Sequence, residues 1–111
     1  MILARIIIEA LPEKQKEVMQ TLISMMDIKG REKGCLSYNV FCDIETKTIF
    51  NVIEEWETRE DLNHHIRSER FSILLGTRSL LTKPLKMKIH TVSNTEGEEI
   101  IKSIREKTIF L

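Results

Sequence analysis

Residues 34–56 read GCLSYNVFCDIETKTIFNVIEEW, and the way this stretch pairs with itself decides the architecture. Residues 34–43 and 48–56 are both rich in β-branched, aromatic and other apolar side chains, and the polar segment 44–47 between them has the composition of a hairpin loop. The two runs are expected to pair antiparallel. With 44–47 as the turn, alternation places Cys35, Ser37, Asn39, Phe41, Phe50, Val52, Glu54 and Trp56 on one face. Leu36, Tyr38, Val40, Cys42, Ile49, Asn51, Ile53 and Glu55 then fall on the other. Both faces are mostly apolar. Helices cover only one side of a single sheet, so a second apolar side calls for a second cover, most simply another copy of the chain. A homodimer is the expectation.

Working outward, residues 2–9 form a nearly unbroken apolar and β-branched run, the pattern of a central strand buried on both faces. Leu11-Pro12-Glu13 then opens a helix. Glu13 and Glu17 suit its positive end, Val18, Met19, Leu22, Ile23 and Met26 form its apolar stripe, and Gly30 with Lys29, Arg31 and Lys33 marks its end. Beyond the hairpin, Thr58 with Asp61 three residues on reads as a helix N-cap, sending Leu62 and Ile66 inward. Ser68 or Glu69 begins a second segment whose apolar side is Phe71, Ile73, Leu74, Leu75, Leu80 and Leu81, and Lys83-Pro84 stops it. Residues 85–92 alternate apolar and polar as an edge strand does. Thr95 with Glu98 repeats the capping pattern, and Ile100, Ile101 and Ile104 predict a short terminal helix.

The order strand, helix, strand, strand, helix, strand is that of an α+β, ferredoxin-like βαββαβ domain with a four-stranded antiparallel sheet. Its 111 residues suit one domain, 1–111, in which 94–111 form a tail apolar enough to dock on its own subunit or on a partner. Hydrophobic residues at 41% and charged residues at 31% exclude the disordered regime. Seventeen basic and seventeen acidic residues cancel and are interleaved, so neither nucleic acid nor an anionic membrane surface is an expected partner. No apolar run approaches the roughly 20 residues that span a bilayer, and the N-terminus has no basic leader. Cys35 and Cys42 lie at odd separation in one predicted strand, hence on opposite faces, which points to reduced thiols and a cytoplasmic location.

Metal sites and nucleophilic triads find little support. His64 and His65 are adjacent on a helix and diverge by roughly 100°, His90 lies on a distant strand, and no Cys-x-x-Cys, nucleophile elbow or glycine-rich phosphate loop is present. What remains is the segment 50–71. There Glu54 and Trp56 end a strand, a charged turn follows, His65 stands nine residues after Trp56, and Ser68 and Phe71 follow it. This pattern, with Gly34 and Tyr38 at the start of the second strand, resembles the antibiotic biosynthesis monooxygenase family.

The resemblance implies a dimeric α+β barrel built from two such domains. It also implies oxygenation of a quinol- or anthrone-like aromatic by dioxygen, with neither metal nor flavin and with no other cofactor. A deprotonated electron-rich phenol can give an electron to dioxygen itself, so the protein need only exclude water, orient the ring and favour the anion. On that reading His65 is the catalytic base, since imidazole titrates near neutrality. Trp56 forms a wall of the substrate pocket, and Asn39 and Glu54 orient substrate or imidazole. The alternative is a non-catalytic dimeric protein that binds a small molecule in the same place or serves in a stress response. Arg70 stands where several family members carry a second histidine, and haem binding or degradation is disfavoured because Leu75 and its neighbours occupy the place of the haem-ligating histidine of the haem-degrading branch. Each residue also has a plainer role open to it. Trp56 could be core, His65 an interface or capping residue, and Glu54 the partner of a backbone amide or of Arg5.

Overall fold

The computed structural model describes residues 1–26 and 32–109, of residues 107–109 the backbone alone. β1 (Ile2–Glu9) is the hub of the sheet. It pairs antiparallel with β3 (Ile49–Trp56), Ile2 opposite Trp56 and Ile8 opposite Phe50, and along its other edge with β4 (Lys86–Thr91), Ala4 opposite Ile89. β2 (Cys35–Cys42) adds to the far side of β3, giving the order β2-β3-β1-β4. This is the ferredoxin-like α+β arrangement, with β4 at the edge as its alternating pattern predicts. Along β1, Ile2, Ala4, Ile6 and Ile8 are buried while Leu3, Arg5, Ile7 and Glu9 are only half-buried. The expectation of burial on both faces is therefore not met within one chain. Among the described residues, helices cover one face alone.

The hairpin register differs by one residue from the symmetric turn expected at 44–47. The Asp43 carboxylate accepts a hydrogen bond from the Thr46 amide at 2.7 Å, and Asp43 N donates to Ile49 O at 2.9 Å. This side-chain turn draws Asp43 into the loop, so Cys42 faces Phe50, Val40 faces Val52 and Tyr38 faces Glu54. A slip of one residue exchanges the faces of a strand. Tyr38 and Val40 therefore share the helix-covered face with Glu54, while Ser37, Asn39 and Phe41 share the opposite face with Asn51, Ile53 and Glu55. A bulge between Cys35 and Ser37 restores the pairing of Cys35 with Trp56. Cys35 and Cys42 thus end on the same face, at opposite ends of one strand, and neither forms a disulfide among the described residues.

The helices cover that face. A 3₁₀ turn at Pro12–Lys14 leads into α1 (Gln15–Ser24), which buries Val18 and Leu22, with Met25 just beyond. Ile23 and Met26, expected in the stripe, are exposed because the buried line runs 18, 22, 25 rather than 19, 23, 26. The predicted stop at Gly30, Lys29 and Arg31 lies outside the described residues. α2 (Arg59–Ile66) and α3 (Glu69–Leu75) start at Thr58 and Ser68, whose hydroxyls accept from the Asp61 and Phe71 amides as N-caps. From α3 it is Phe71 and Leu74 that turn inward, whereas Ile73 and Leu75 are half exposed. α4 (Glu99–Ile109) begins at Glu99, whose carboxylate accepts from Gly97 N, rather than from a cap at Thr95. Ile101 and Ile104 on it are more than half exposed. The radius of gyration, 17.1 Å, exceeds the roughly 13 Å of a compact chain of this length.

Gly34 sets the entry to β2. Its φ is +80°, and a Cβ there would run into the Asp61 carboxylate at the start of α2. Its carbonyl also accepts from Glu57 N at 2.9 Å, tying the start of β2 to the end of β3. Gly34→Ala is expected to cost roughly 1–3 kcal/mol in urea denaturation. Gly76→Ala, where a Cβ meets open space and φ is −66°, should be neutral or slightly stabilising. Equal midpoints for the two variants would contradict this account.

Candidate functional site

Along β3 the alternation that buries Phe50 and Val52 also buries Glu54 and Trp56, both completely. A buried carboxylate needs partners. One comes from its own strand: Trp56, two residues on and therefore on the same face, donates Nε1–H to Glu54 Oε1 at 3.0 Å. The other comes from α2. Thr58 starts that helix two residues after β3 ends, so the helix folds back across the strand end and its inward line carries Leu62 and then His65. The imidazole stacks on the indole with centroids 4.8 Å apart and planes at 29°. Its Nε2 lies 3.6 Å from Glu54 Oε2, an electrostatic contact longer than a hydrogen bond.

Ser68 fixes the corner between α2 and α3. Its hydroxyl donates to His65 O at 2.6 Å and accepts from Phe71 N at 3.2 Å. That corner sets the Phe71 ring edge-on against His65, with centroids 5.4 Å apart and planes at 83°. On the far side of the imidazole, Nδ1 lies 2.6 Å from Glu32 Oε2. A carboxylate without its proton can only accept, so this contact puts a hydrogen on Nδ1. The result is a histidine sandwiched between two carboxylates, with aromatic rings on two further sides.

Three buried polar atoms have no hydrogen-bond partner among the described residues: Glu54 Oε2, His65 Nε2 and Tyr38 Oη. Such atoms are uncommon in a native interior, and their concentration in one neighbourhood marks a functional candidate. Burial by itself lowers the basicity of His65, but Glu54 and then Glu32 outweigh it and hold the imidazolium above its ordinary range. Tyr38 is raised as well: burial first, and then the Glu54 charge, push its phenol well above the usual range, so it stays protonated.

Of the four residues expected at the site, Trp56, Glu54 and His65 come together and Asn39 does not. The register shift puts Asn39 opposite Ile53, exposed on the uncovered face. Arg5, considered as a partner for Glu54, faces that same uncovered side opposite Ile53 and Lys88. Tyr38 takes the place Asn39 was given, directly across from Glu54. Glu32 was not anticipated, since it belongs to no strand or helix pattern and reaches His65 across 33 positions of sequence. His64 points away from the cluster, into a surface cleft of about 420 Å³ with Lys33, Asp61 and Arg67. A cleft of about 380 Å³ lies between Met25 and α3, lined by Ser24, Glu69, Arg70 and Ile73, and one of about 340 Å³ is lined by Leu75, Arg78, Leu81, Pro84 and Leu85. None of these three has Trp56, Glu54 or His65 in its wall. Among the described residues no group of three or more His, Cys, Asp or Glu side chains is arranged to hold a metal ion, and no helix is long and apolar enough to cross a membrane.

Fold and cluster together define a ferredoxin-like α+β protein with a buried histidine and carboxylate at the end of β3 and a second, part-buried carboxylate on the histidine's other nitrogen. The family model for the antibiotic biosynthesis monooxygenases matches residues 1–72, and the chain belongs to that family. No curated protein matches the sequence. Among solved structures, a conserved protein from Methanosarcina mazei Go1 is 30% identical, the match covering 80% of this chain and 89% of that one with a TM-score of 0.74. An antibiotic biosynthesis monooxygenase is similar at 21% identity and TM-score 0.77, over 85% of this chain and all of that one. A candidate antibiotic biosynthesis monooxygenase from Deinococcus radiodurans has a TM-score of 0.80 at 19% identity, over 87% and 97% of the two chains. At those last two identities the likeness is one of fold.

Because folding raises the basicity of His65, its imidazolium stabilises the folded state fully below the unfolded value of about 6.5, and this contribution fades as pH rises through the folded value. The stability lost in His65→Gln, measured by urea denaturation, should therefore be largest near pH 6 and smaller near pH 9. A loss independent of pH would show that the histidine is not charged between its two carboxylates.

Proposed function

We propose that this protein is a monooxygenase acting without metal or flavin on a small electron-rich aromatic of the quinol or anthrone kind. The observation that carries the reading is the buried His65–Glu54 pair against Trp56, with part-buried Glu32 on the other ring nitrogen and, among the described residues, atoms without a hydrogen-bond partner on Glu54, His65 and Tyr38. In the neutral imidazole His65 Nε2 holds a lone pair and takes the acidic proton of the substrate, while Glu54 and Glu32 stabilise the imidazolium that forms. Trp56, stacked on the imidazole, holds that ring in place and gives the site the aromatic lining that a flat substrate anion calls for. For an anthrone-like methylene the balance closes without an external reductant. The carbon loses two hydrogens and gains one oxygen atom as a carbonyl, and the second oxygen atom leaves with those hydrogens as water. All four electrons that reduce dioxygen come from the substrate.

Oxygen uptake with a panel of hydroquinones and anthrones tests this. Turnover is expected, with kcat/KM rising with pH through the raised His65 value and falling about 10²- to 10⁴-fold in His65→Ala. Uptake at the wild-type rate in His65→Ala would remove the histidine from the chemistry. The second reading is a non-catalytic protein that binds a small aromatic ligand, and it is favoured over turnover by the complete burial of His65, which gives the base no solvent path. Tight binding of the same compounds with no oxygen consumed would establish it instead.

A homodimer, closing the two sheets into an α+β barrel, belongs to the same proposal. The uncovered face supports it, since Leu3, Ile7, Ile49 and Ile53 lie there half-buried beside exposed Phe41. The exposed isoleucines of α4 suit a tail that docks on the partner, completing one domain over 1–111. Sedimentation equilibrium should give twice the chain mass, and Ile53→Lys should shift the population to monomer. A wild-type monomer at micromolar concentration would refute the dimer.

A further inference from the structure

We propose that Glu32 is the positioning residue of the site: its carboxylate keeps a hydrogen on His65 Nδ1, so that the neutral ring turns a bare Nε2 toward Glu54. The geometry is specific. Nδ1 to Oε2 is 2.6 Å, whereas Nε2 to Glu54 Oε2 is 3.6 Å, so of the two carboxylates only Glu32 is within hydrogen-bond distance. An imidazole alone prefers neither nitrogen strongly, and the partner of one nitrogen decides what the other can do. Without Glu32, the neutral ring would put its hydrogen on Nε2, where the Glu54 carboxylate waits to accept it, and the lone pair would turn away from the interior. A proton acceptor facing Glu54 and Trp56 exists only while Glu32 is in place.

Among the described residues the charged groups that act on His65 are Glu54 from β3 and Glu32 from the segment before β2, and the Tyr38 phenol of β2 in turn feels Glu54, Cys35, Arg70 and Glu32. Glu32 differs from Glu54 in its setting. Its side chain is 16% exposed and it stands outside the strands, whereas Glu54 has no exposure at all. Replacing Glu32 therefore leaves the strand interior intact, which makes it the carboxylate that can be changed without unfolding the cluster.

The catalytic consequence rests on the monooxygenase reading, but the position of the hydrogen does not, and nitrogen-15 correlation spectra of His65 in the full-length protein read it directly. In the wild type the neutral ring should carry its hydrogen on Nδ1. Glu32→Gln should lower the His65 titration midpoint while its amide oxygen still accepts from Nδ1. Glu32→Ala should lower the midpoint and move the hydrogen to Nε2. Unchanged midpoint and unchanged tautomer in Glu32→Ala would overturn the proposal. Should that variant fail to fold by circular dichroism, an unchanged midpoint in Glu32→Gln does so instead. With an active substrate in hand, kcat/KM in Glu32→Ala should fall about 10- to 100-fold, its pH limb moving down with the midpoint. Absence of turnover in the wild type would end the monooxygenase reading and leave the tautomer result standing.

Discussion

The carboxylate of Glu54 is the constraint from which the rest of this corner of the molecule follows. Taking such a charge out of water costs several kcal/mol unless neighbours replace the lost hydration, and Glu54 has no solvent contact. Its own strand supplies the indole N–H of Trp56, and the helix that follows supplies the imidazole of His65. For the imidazole to arrive, α2 must start almost as soon as β3 ends, which the Thr58 cap ensures, and must stop where Ser68 can turn the chain and bring Phe71 against the ring. The capping residues, often read as local punctuation, here determine where a charge sits.

Glu32 and Gly34 close the same corner from the other side. Gly34 takes a conformation open to few other residues and accepts from the Glu57 amide, so the start of β2 is held against the end of β3. Glu32, two residues earlier, thereby comes within 2.6 Å of His65. In a dry setting each of these electrostatic contacts is stronger than it would be in water, and an unpaired atom is correspondingly costly. The charge state of one histidine is consequently coupled to the stability of the fold, and any chemistry at that histidine draws on the contacts that hold the sheet corner together.

The two sides of the sheet are treated differently. One lies beneath α1, α2 and α3 and contains the cluster. The other mixes Leu3, Ile7, Ile53 and Phe41 with Arg5, Asn39 and Glu55, too apolar for a wholly wet surface and too polar for a core. That composition suits a surface that meets another protein surface.

Much of this was legible in the sequence. Hydrophobic periodicity, the Thr58 and Ser68 caps and the Pro12 and Pro84 boundaries determine four strands and the helices between them, because each of these features acts within a few residues of itself. The fixed step from Trp56 through a short turn to His65 likewise determines that those two rings meet. Three things were decided only in three dimensions. The Asp43 side chain captured a backbone amide and slipped the hairpin by one residue, exchanging Asn39 for Tyr38 beside Glu54. The phase of α1 turned Met25 inward in place of Met26. Glu32 reached His65 from 33 positions away. Each depends on which of several nearly equivalent partners a polar group or helix face finds once the chain has closed on itself, and that choice is made by tertiary packing rather than by any local pattern.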